Sequence, residues 1–329
     1  MKTKRFLSLF LVLVMLVVPT LTITSGAASS STRPSIVGVH VRVESGFCAY
    51  FYIEAPSSQT TEVGIFVGEE RIQAQKQDDG RYVAVIRGLS PTKMADLIAV
   101  YPYAVIGTSS NVRGTEYLFG LQDYAMNLLS QEELPEATRD LLIAMLNYGA
   151  ACQIKQGYRT HMPANMGLSE EEKIVPVRPY ENVLQVPVFG EEDISYSSAA
   201  SAYYLDRLVF SFGFIIDGLE DAADVYMEIA DNPEFVKSSR YELAKSKTVY
   251  SADTDGIYLN SLTKPYYIRV STPIGVTLPI SYSVESYAHL VLETEAGDAI
   301  DEDTKAYLAA LIAFGDALQA YEAAATATE

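Results

Sequence analysis

An internal repeat constrains this chain more than any other feature, because a duplicated sequence builds the same structural unit twice. The segments 142–151 (LIAMLNYGAA) and 308–317 (LAALIAFGDA) carry leucine, aliphatic, aromatic, glycine and alanine residues at the same offsets. Upstream, 119–125 (FGLQDYA) matches 282–288 (YSVESYA). Two weaker matches precede these in both halves. One pairs 80–82 with 256–258 and 88–90 with 261–263, and the other pairs 47–53 with 208–214. Four matches in one order indicate a duplication.

Period-two patterns predict that each copy begins with strands. Apolar residues alternate with other residues along 37–43 and, in the second copy, along 208–216, as they do in half-buried strands. Turn signals of the Asp-Gly kind at 78–80 and 253–256 indicate hairpins between strands. Each copy therefore has an antiparallel β-sheet or a small sandwich in its first part.

Helical spacing of apolar residues predicts two helices at the end of each copy. Gly120 and Ser283 stand at matching helix starts, and both residue types serve as N-caps. Pro135 suits a first helical turn, and the acids at 301–303 suit the positive end of a helix dipole. The predicted fold class is α+β, with two degenerate copies, each an antiparallel sheet or small sandwich followed by a helical hairpin.

These patterns divide the chain into five parts. We predict a signal peptide at 1–28, a first module at 35–158, a linker at 159–196, a second module at 197–323 and a tail at 324–329. In both modules strands precede a helix pair. The linker carries four prolines and an acidic run, and about 300 residues after the signal peptide fit two domains of typical size.

The N-terminus predicts export. A basic stretch at 1–5 is followed by an apolar run at 6–18 and by small residues at 24–28, the order found in secretory signal peptides. The apolar run is shorter than a membrane-spanning helix, and no later segment is long enough to span. We therefore expect a secreted or extracellular protein, and the sequence leaves open whether it stays at the cell surface.

The charge argues against nucleic acid as a partner. The chain has a formal net charge of −18, and cleavage of the leader would remove three basic residues and no acid. Such a surface repels nucleic acid and anionic membranes and keeps an exported protein soluble. Its two cysteines, Cys48 and Cys152, could form a disulfide after export, and the sequence leaves open whether they meet.

Motifs for catalysis are lacking in the sequence. The three histidines are scattered, Cys48 with His161 is the single nominal Cys–His combination considered, and no local signature supports it. Neither Gly-x-Ser-x-Gly, His-Glu-x-x-His nor a phosphate-binding loop occurs. Acid clusters at 253–256 and 298–303 suggest weak calcium binding as an alternative. A hairpin turn explains the first cluster and a helix start explains the second. We expect no enzyme, no cofactor and no metal site.

Tyrosine clusters are the remaining candidates for binding. An exposed tyrosine row could stack on sugar rings or anchor a protein partner, and ordinary packing in a β-sheet is the competing explanation. The candidate residues are Tyr101, Tyr103, Tyr203, Tyr204, Tyr266 and Tyr267.

The helical segments resemble a known kind of module. The first copy reads NYGAACQ at 147–153, then Gly157-Tyr158 and NMGLSEEEK at 165–173, and the second reads YSVESYA at 282–288 and FGDA at 314–317. This is similar to the β-plus-helix repeats of large secreted surface proteins from anaerobic Gram-positive bacteria. There, such modules accompany wall-attachment, immunoglobulin-like or polysaccharide-degrading domains. The resemblance implies no established activity and no catalytic residue.

Two functions are compatible with these observations. The first is a noncatalytic surface or scaffold module that mediates protein contacts or spaces other domains. The second is a carbohydrate- or cell-wall-binding module that uses tyrosine platforms. The partner would be a surface protein or a polysaccharide, and the sequence leaves the ligand and the oligomeric state open.

Gly149 and Gly315 generate a first prediction. Each lies inside a helix pattern, where glycine costs about 1 kcal/mol relative to alanine, so we expect close packing of the helix backbone at both positions. Gly149→Leu should then lower the melting temperature by overpacking. An unchanged melting temperature would refute this interpretation.

Overall fold

The structure is a computed structural model of the chain. It describes residues 32–44, 46–56, 59–107, 110–185, 187–189, 194–204, 208–219, 224–255, 257 and 259–327. The predicted signal peptide, 1–28, lies outside the described residues.

Strands and helices follow one another in the same order in the two halves. The first half contains β1 (Ser35–Val43), β2 (Phe47–Glu54), β3 (Thr60–Val67), β4 (Glu70–Gln73), β5 (Gln75–Lys76), β6 (Tyr82–Leu89), a 3-10 turn (Pro91–Lys93), β7 (Leu97–Ile106), β8 (Ser110–Arg113), β9 (Tyr117–Gly120), α1 (Leu121–Leu129) and α2 (Glu136–Lys155). The second half contains β10 (Tyr196–Tyr204), β11 (Leu208–Ile216), β12 (Tyr226–Ala230), β13 (Ser238–Glu242), β14 (Ala244–Ser246), β15 (Val249–Asp253), a 3-10 turn (Leu259–Ser261), β16 (Tyr266–Thr272), β17 (Gly275–Val276), β18 (Ile280–Tyr282), α3 (Val284–Glu293), a short 3-10 turn (Glu295–Gly297) and α4 (Glu302–Thr326).

Strand order confirms the α+β fold with two degenerate copies. Copy one has the antiparallel sheets β1-β2-β6-β5 and β4-β3-β7-β8, with β9 also paired to β7. Copy two has β10-β11-β15-β14 and β13-β12-β16-β17, with β18 also paired to β16. Aromatic contacts join the two sheets of each copy. The ring centroids of Phe51 and Phe119 are 5.4 Å apart, and those of Phe212 and Tyr282 are 5.8 Å apart. Each copy is thus a small sandwich followed by two helices.

One of the weaker sequence matches is out of register. Phe51 pairs with Ala84 as Phe212 pairs with Ala252, so 80–82 correspond to 248–250 and not to 256–258. The sequence match is misleading because 80–82 stand at the start of β6, whereas 256–258 follow the end of β15, so a Gly-x-Tyr before one strand was paired with a Gly-x-Tyr after the other.

A second register correction follows from the hydrogen bonds at the helix starts. Gln122 N–H donates to the Met94 carbonyl as Glu285 N–H donates to the Leu262 carbonyl. Leu262 therefore corresponds to Met94, and the match of 88–90 with 261–263 is wrong.

Both helix glycines pack closely, and they do so against these two equivalent residues. A Cβ atom on Gly149 would lie 2.7 Å from Met94 Sδ, and one on Gly315 would lie 2.6 Å from Leu262 Cδ1. Real Cβ atoms do not approach other atoms that closely. In each copy the absence of a side chain lets the second helix press against the turn before the central strand.

The two copies share one hydrophobic core through α2 and α4. The ring of Tyr148 stacks on Phe314 at 5.6 Å and 9°, and Tyr307 lies 6.0 Å from Tyr148. Phe47 of the first sandwich also contacts Phe314, at 5.6 Å. The buried residues of both halves form a single cluster, so the modules at 35–158 and 197–323 are not separate cores.

The segment predicted as a linker packs against both copies. Ala164, Leu168 and Tyr180 are buried. The Asn147 amide donates to the Glu172 carbonyl at 2.8 Å, which holds the segment against α2. The predicted tail is also ordered at its start, because α4 continues to Thr326.

Arg178 joins this segment to copy two. Its guanidinium donates to both Asp316 carboxylate oxygens, at 2.7 and 2.9 Å, and to Glu285. These carboxylates raise the pKa of Arg178. Glu285 is 3% exposed, so Arg178 neutralises a buried charge.

Among the helices of the described residues, none has a stretch both long enough and apolar enough to cross a bilayer.

Removal of Arg178 tests this anchoring. Arg178→Leu leaves Glu285 buried without its cation, and breaking a buried pair in this way costs several kcal/mol. Because the Arg178 side chain is 39% exposed, we expect a loss at the low end, about 2–3 kcal/mol, in denaturant unfolding. Arg178→Leu with Glu285→Gln should recover part of the loss, because no buried charge is left unpaired and Asp316, which also loses Arg178, is 38% exposed to water. Equal losses in both variants would contradict this account.

Candidate functional site

A groove runs along the first sandwich between two strands that lie at sheet edges. β1 pairs on one side with β2, and β9 pairs on one side with β7. Helix α1 closes the end of the groove, whose volume is about 460 Å³. Its lining comes from Ile36 to His40, from Tyr117 to Gly120 and from Asp123, Tyr124, Asn127, Leu128 and Gln131.

The groove has an apolar floor and an exposed apolar rim. Val39 and Phe119 are buried, whereas Leu118 is 58% exposed and Tyr117 is 39% exposed. Gly38 lies at a register shift of β1, and a Cβ atom there would have no neighbour within 4 Å. The groove therefore has open space beside β1 and a hydrophobic rim that is exposed to solvent.

Polar groups stand at the helix side of the groove. The Tyr124 hydroxyl accepts a hydrogen bond from Val41 N–H at 3.4 Å, and burial raises the pKa of Tyr124 to about 12. Asp123 is exposed in the first turn of α1. On β1, burial and then the charges of Arg42 and Arg81 lower the pKa of His40, so the imidazole is neutral at neutral pH.

The equivalent place in copy two is occupied by the chain itself. Since Gly120 and Ser283 are the N-caps of α1 and α3, Ser281 takes the position of Leu118 and Ser286 takes that of Asp123. An antiparallel bridge joins Gln185 to Ser281. An extended part of the segment before β10 thus covers the free edge of β18.

Hydrogen bonds between main-chain groups of that segment and side chains of β18 and α3 hold it in place. Val183 N–H donates to Ser286 Oγ at 3.0 Å, and Gln185 N–H donates to Ser281 Oγ at 3.3 Å. The Ser281 hydroxyl donates to the Val183 carbonyl at 2.6 Å, and Tyr180 N–H donates to Glu293 at 3.1 Å.

The segment also reaches the strand that corresponds to β1. Phe189 lies 5.5 Å from Tyr196 of β10, edge to face. The segment therefore contacts both β18 and the start of β10. These strands correspond to β9 and β1, which line the groove of copy one.

Two of the tyrosines proposed for binding lie on the outer face of β7. Tyr103 is 1% exposed: it covers Gly64, its hydroxyl donates to Glu62 at 2.7 Å, and the Arg71 guanidinium lies 4.5 Å from its ring. Tyr101 is half-buried and its hydroxyl donates to Glu116. Tyr103 serves as packing over a glycine, and its ring is not open for stacking.

The other proposed tyrosines lie elsewhere. Tyr266 packs edge to face on Phe210 at 5.8 Å and lines a cavity of about 440 Å³ with Tyr241. Tyr267 is half-buried and pairs with Ser281. Tyr203 and Tyr204 are in β10, and their side chains lie outside the described residues.

The four tyrosines whose side chains the structure describes do not form one row. Tyr267 pairs with Ser281 as Ala99 pairs with Leu118. Tyr101 therefore corresponds to Arg269, and the tyrosine pairs of the two copies occupy different positions along the central strand.

Both cysteines are free and buried, so the disulfide considered between Cys48 and Cys152 is not formed. Burial, followed by the charge of Glu44, raises the pKa of Cys48 to about 11, and burial raises the pKa of Cys152 as well. Protonated thiols are poor nucleophiles. His161, which the sequence analysis considered with Cys48 and found unsupported, is exposed in the loop after α2.

The acid clusters have structural roles where the structure describes them. Asp301 caps α4 by accepting from Thr304 N–H at 2.9 Å, and these bonds with Thr304 and the pairing with Lys155 lower its pKa to about 2. In the turn at 253–256, Gly256 lies outside the described residues. Across the part of the chain that is described, no three His, Cys, Asp or Glu residues are grouped as metal ligands.

Comparisons with known proteins do not place this chain in a family. No protein-family profile matches it, and no curated protein matches it. One solved structure, described as "Structural basis of neurohormone perception by the receptor tyrosine kinase Torso", aligns with 77% of this chain and 76% of its own at 9% identity. Its TM-score is 0.18, which carries no argument about fold or function.

Sequence reasoning missed the groove. The helical spacing of apolar residues counts Leu118 together with Leu121 and Ala125, whereas the structure places Leu118 in β9. Nothing local in the sequence shows that 117–120 form a strand with an uncovered edge. The signal that could have found it is the comparison of Leu118 with Ser281 within the aligned copies, because an exposed leucine stands where the other copy has a serine.

Proposed function

We propose that this protein is a noncatalytic contact module, and that the groove of copy one binds an extended segment of a partner protein. The N-terminal pattern supports secretion, so the partner would be met outside the cell. In this role the second sandwich and the helices form the scaffold that presents the groove.

One observation carries the proposal: the same place in copy two holds an extended segment, Val183 to Gln185, of this chain. A free strand edge offers unpaired main-chain groups to another strand, and adding a strand at such an edge is a recurring mode of peptide recognition. Copy one has the same two edges and an exposed apolar rim, and no described segment pairs with Leu118 on the side of β9 away from β7.

The chemistry of the described side chains supports a noncatalytic role. The Cys48 thiol is protonated at neutral pH, and His289 pairs with Glu293 at 2.7 Å on the surface of α3. A nucleophile needs a base that is itself held by a third group. No such set is found among the groove-lining residues.

The carbohydrate alternative has less support. Tyr103 is covered by Arg71, so it offers no ring to a sugar. Tyr266 lines a cavity and Tyr267 is half-buried, and these two keep the alternative open. Polysaccharide binding on a glycan array that disappears in Tyr267→Ala, with groove variants unaffected, would favour it.

A peptide tests the proposed function. The probe is the decapeptide of residues 180–189 (YENVLQVPVF), labelled and titrated into the whole chain by fluorescence anisotropy. We expect binding in the groove and stronger binding to Leu118→Ser, because the new hydroxyl reproduces the Ser281 hydrogen bonds, worth about 1 kcal/mol each. Ile174→Ser, which removes another exposed apolar side chain, is the matched control and should change nothing.

Filling the groove gives the opposite result. Gly38→Phe points a ring into open space beside β1, and Asn127→Trp enters from α1. Each should abolish peptide binding while the unfolding midpoint stays near that of the parent. Peptide affinity that survives in both folded variants would overturn the proposed function.

A further inference from the structure

The groove of copy one differs from its counterpart at the two residues that hold the strand in copy two. Leu118 replaces Ser281, and Asp123 replaces Ser286. The first change exchanges a hydrogen-bonding hydroxyl for an apolar surface. The second exchanges a neutral hydroxyl, which accepts from Val183 N–H at 3.0 Å, for a carboxylate. The two copies are therefore built for strands of different chemistry.

Given the proposed function, on which this step rests, we propose that the partner strand is apolar and basic. An apolar side chain of the partner strand covers Leu118 and Tyr117. A lysine or arginine of the partner, next to the partner residue whose main-chain N–H faces α1, pairs with Asp123. A carboxylate accepts hydrogen bonds from N–H groups and prefers a cationic donor.

Charge at the groove and over the chain supports this choice. Asp123 is the only Asp, Glu, Lys or Arg among the residues that line the groove, and burial followed by the nearby arginine charges lowers the pKa of His40. The whole chain has a formal net charge of −18, so it steers cationic partners toward itself and repels a second copy.

The occupied copy also defines the direction of the strand. The bridge between Gln185 and Ser281 is antiparallel, so the partner strand runs antiparallel to β9. In that orientation its N-terminal part lies beside α1, as Val183 lies beside Ser286, and its C-terminal part extends along β1.

Two matched peptides test the charge preference. The first is the 180–189 decapeptide, and the second is the same peptide with Asn182→Lys, which places an ammonium next to the N–H of Val183. We expect the lysine peptide to bind the whole chain about two- to fivefold more tightly at low salt, the range for an exposed ion pair. The difference should shrink toward zero at high salt.

Asp123→Asn should remove the difference between the peptides, whereas Asp140→Asn, an exposed acid on α2, should keep it. Equal affinities on the parent chain, with both peptides lost in Gly38→Phe and Asn127→Trp, would sink the basic-partner inference and leave the groove as the site. Binding that survives in both groove-filled variants would instead overturn the proposed function. Concentration-dependent dimerisation blocked by Gly38→Phe would show that a second copy is the occupant.

Discussion

The packing of α2 against α4 is the contact on which the rest of the structure depends. The stacked rings of Tyr148 and Phe314 stand at its centre, and such a pair adds about 1 kcal/mol beyond the area it buries. Each helix is also pressed onto the turn of its own sandwich, at Gly149 and Gly315. Helices that are apolar on more than one face must be covered on each of them. Pairing the two copies back to back satisfies this requirement for both.

This arrangement explains why the chain between the copies is not a free linker. With α2 and α4 in contact, the polypeptide has to run across both helical layers to reach the second sandwich. Arg178 anchors it at the buried Glu285, and a few residues later it covers the free edge of β18. The connection therefore completes copy two, and the first copy keeps its corresponding edge open.

An open edge beside an exposed leucine is a liability for a protein, because uncovered strand edges promote unwanted pairing. Copy one nevertheless carries Leu118 where copy two carries a serine. Divergence at Leu118 and at Asp123, within two copies of the same topology, is the feature that makes the groove a candidate binding site. Among the tyrosines that the sequence suggested, Tyr103 is used for packing, because it covers Gly64.

Local patterns in the sequence were sufficient for the duplication, the order of strands and helices, the helix starts at Gly120 and Ser283 and the close packing at Gly149 and Gly315. Each of these depends on residues near one another along the chain, through periodicity, capping or backbone clearance. Only the tertiary structure decided four other features. These are the register between 80–82 and the second copy, the role of residues 159–196, the state of Cys48 and Cys152, and the groove beside β1. They depend on which distant surfaces meet and which are left uncovered, and neither strand alternation nor helical spacing carries that information.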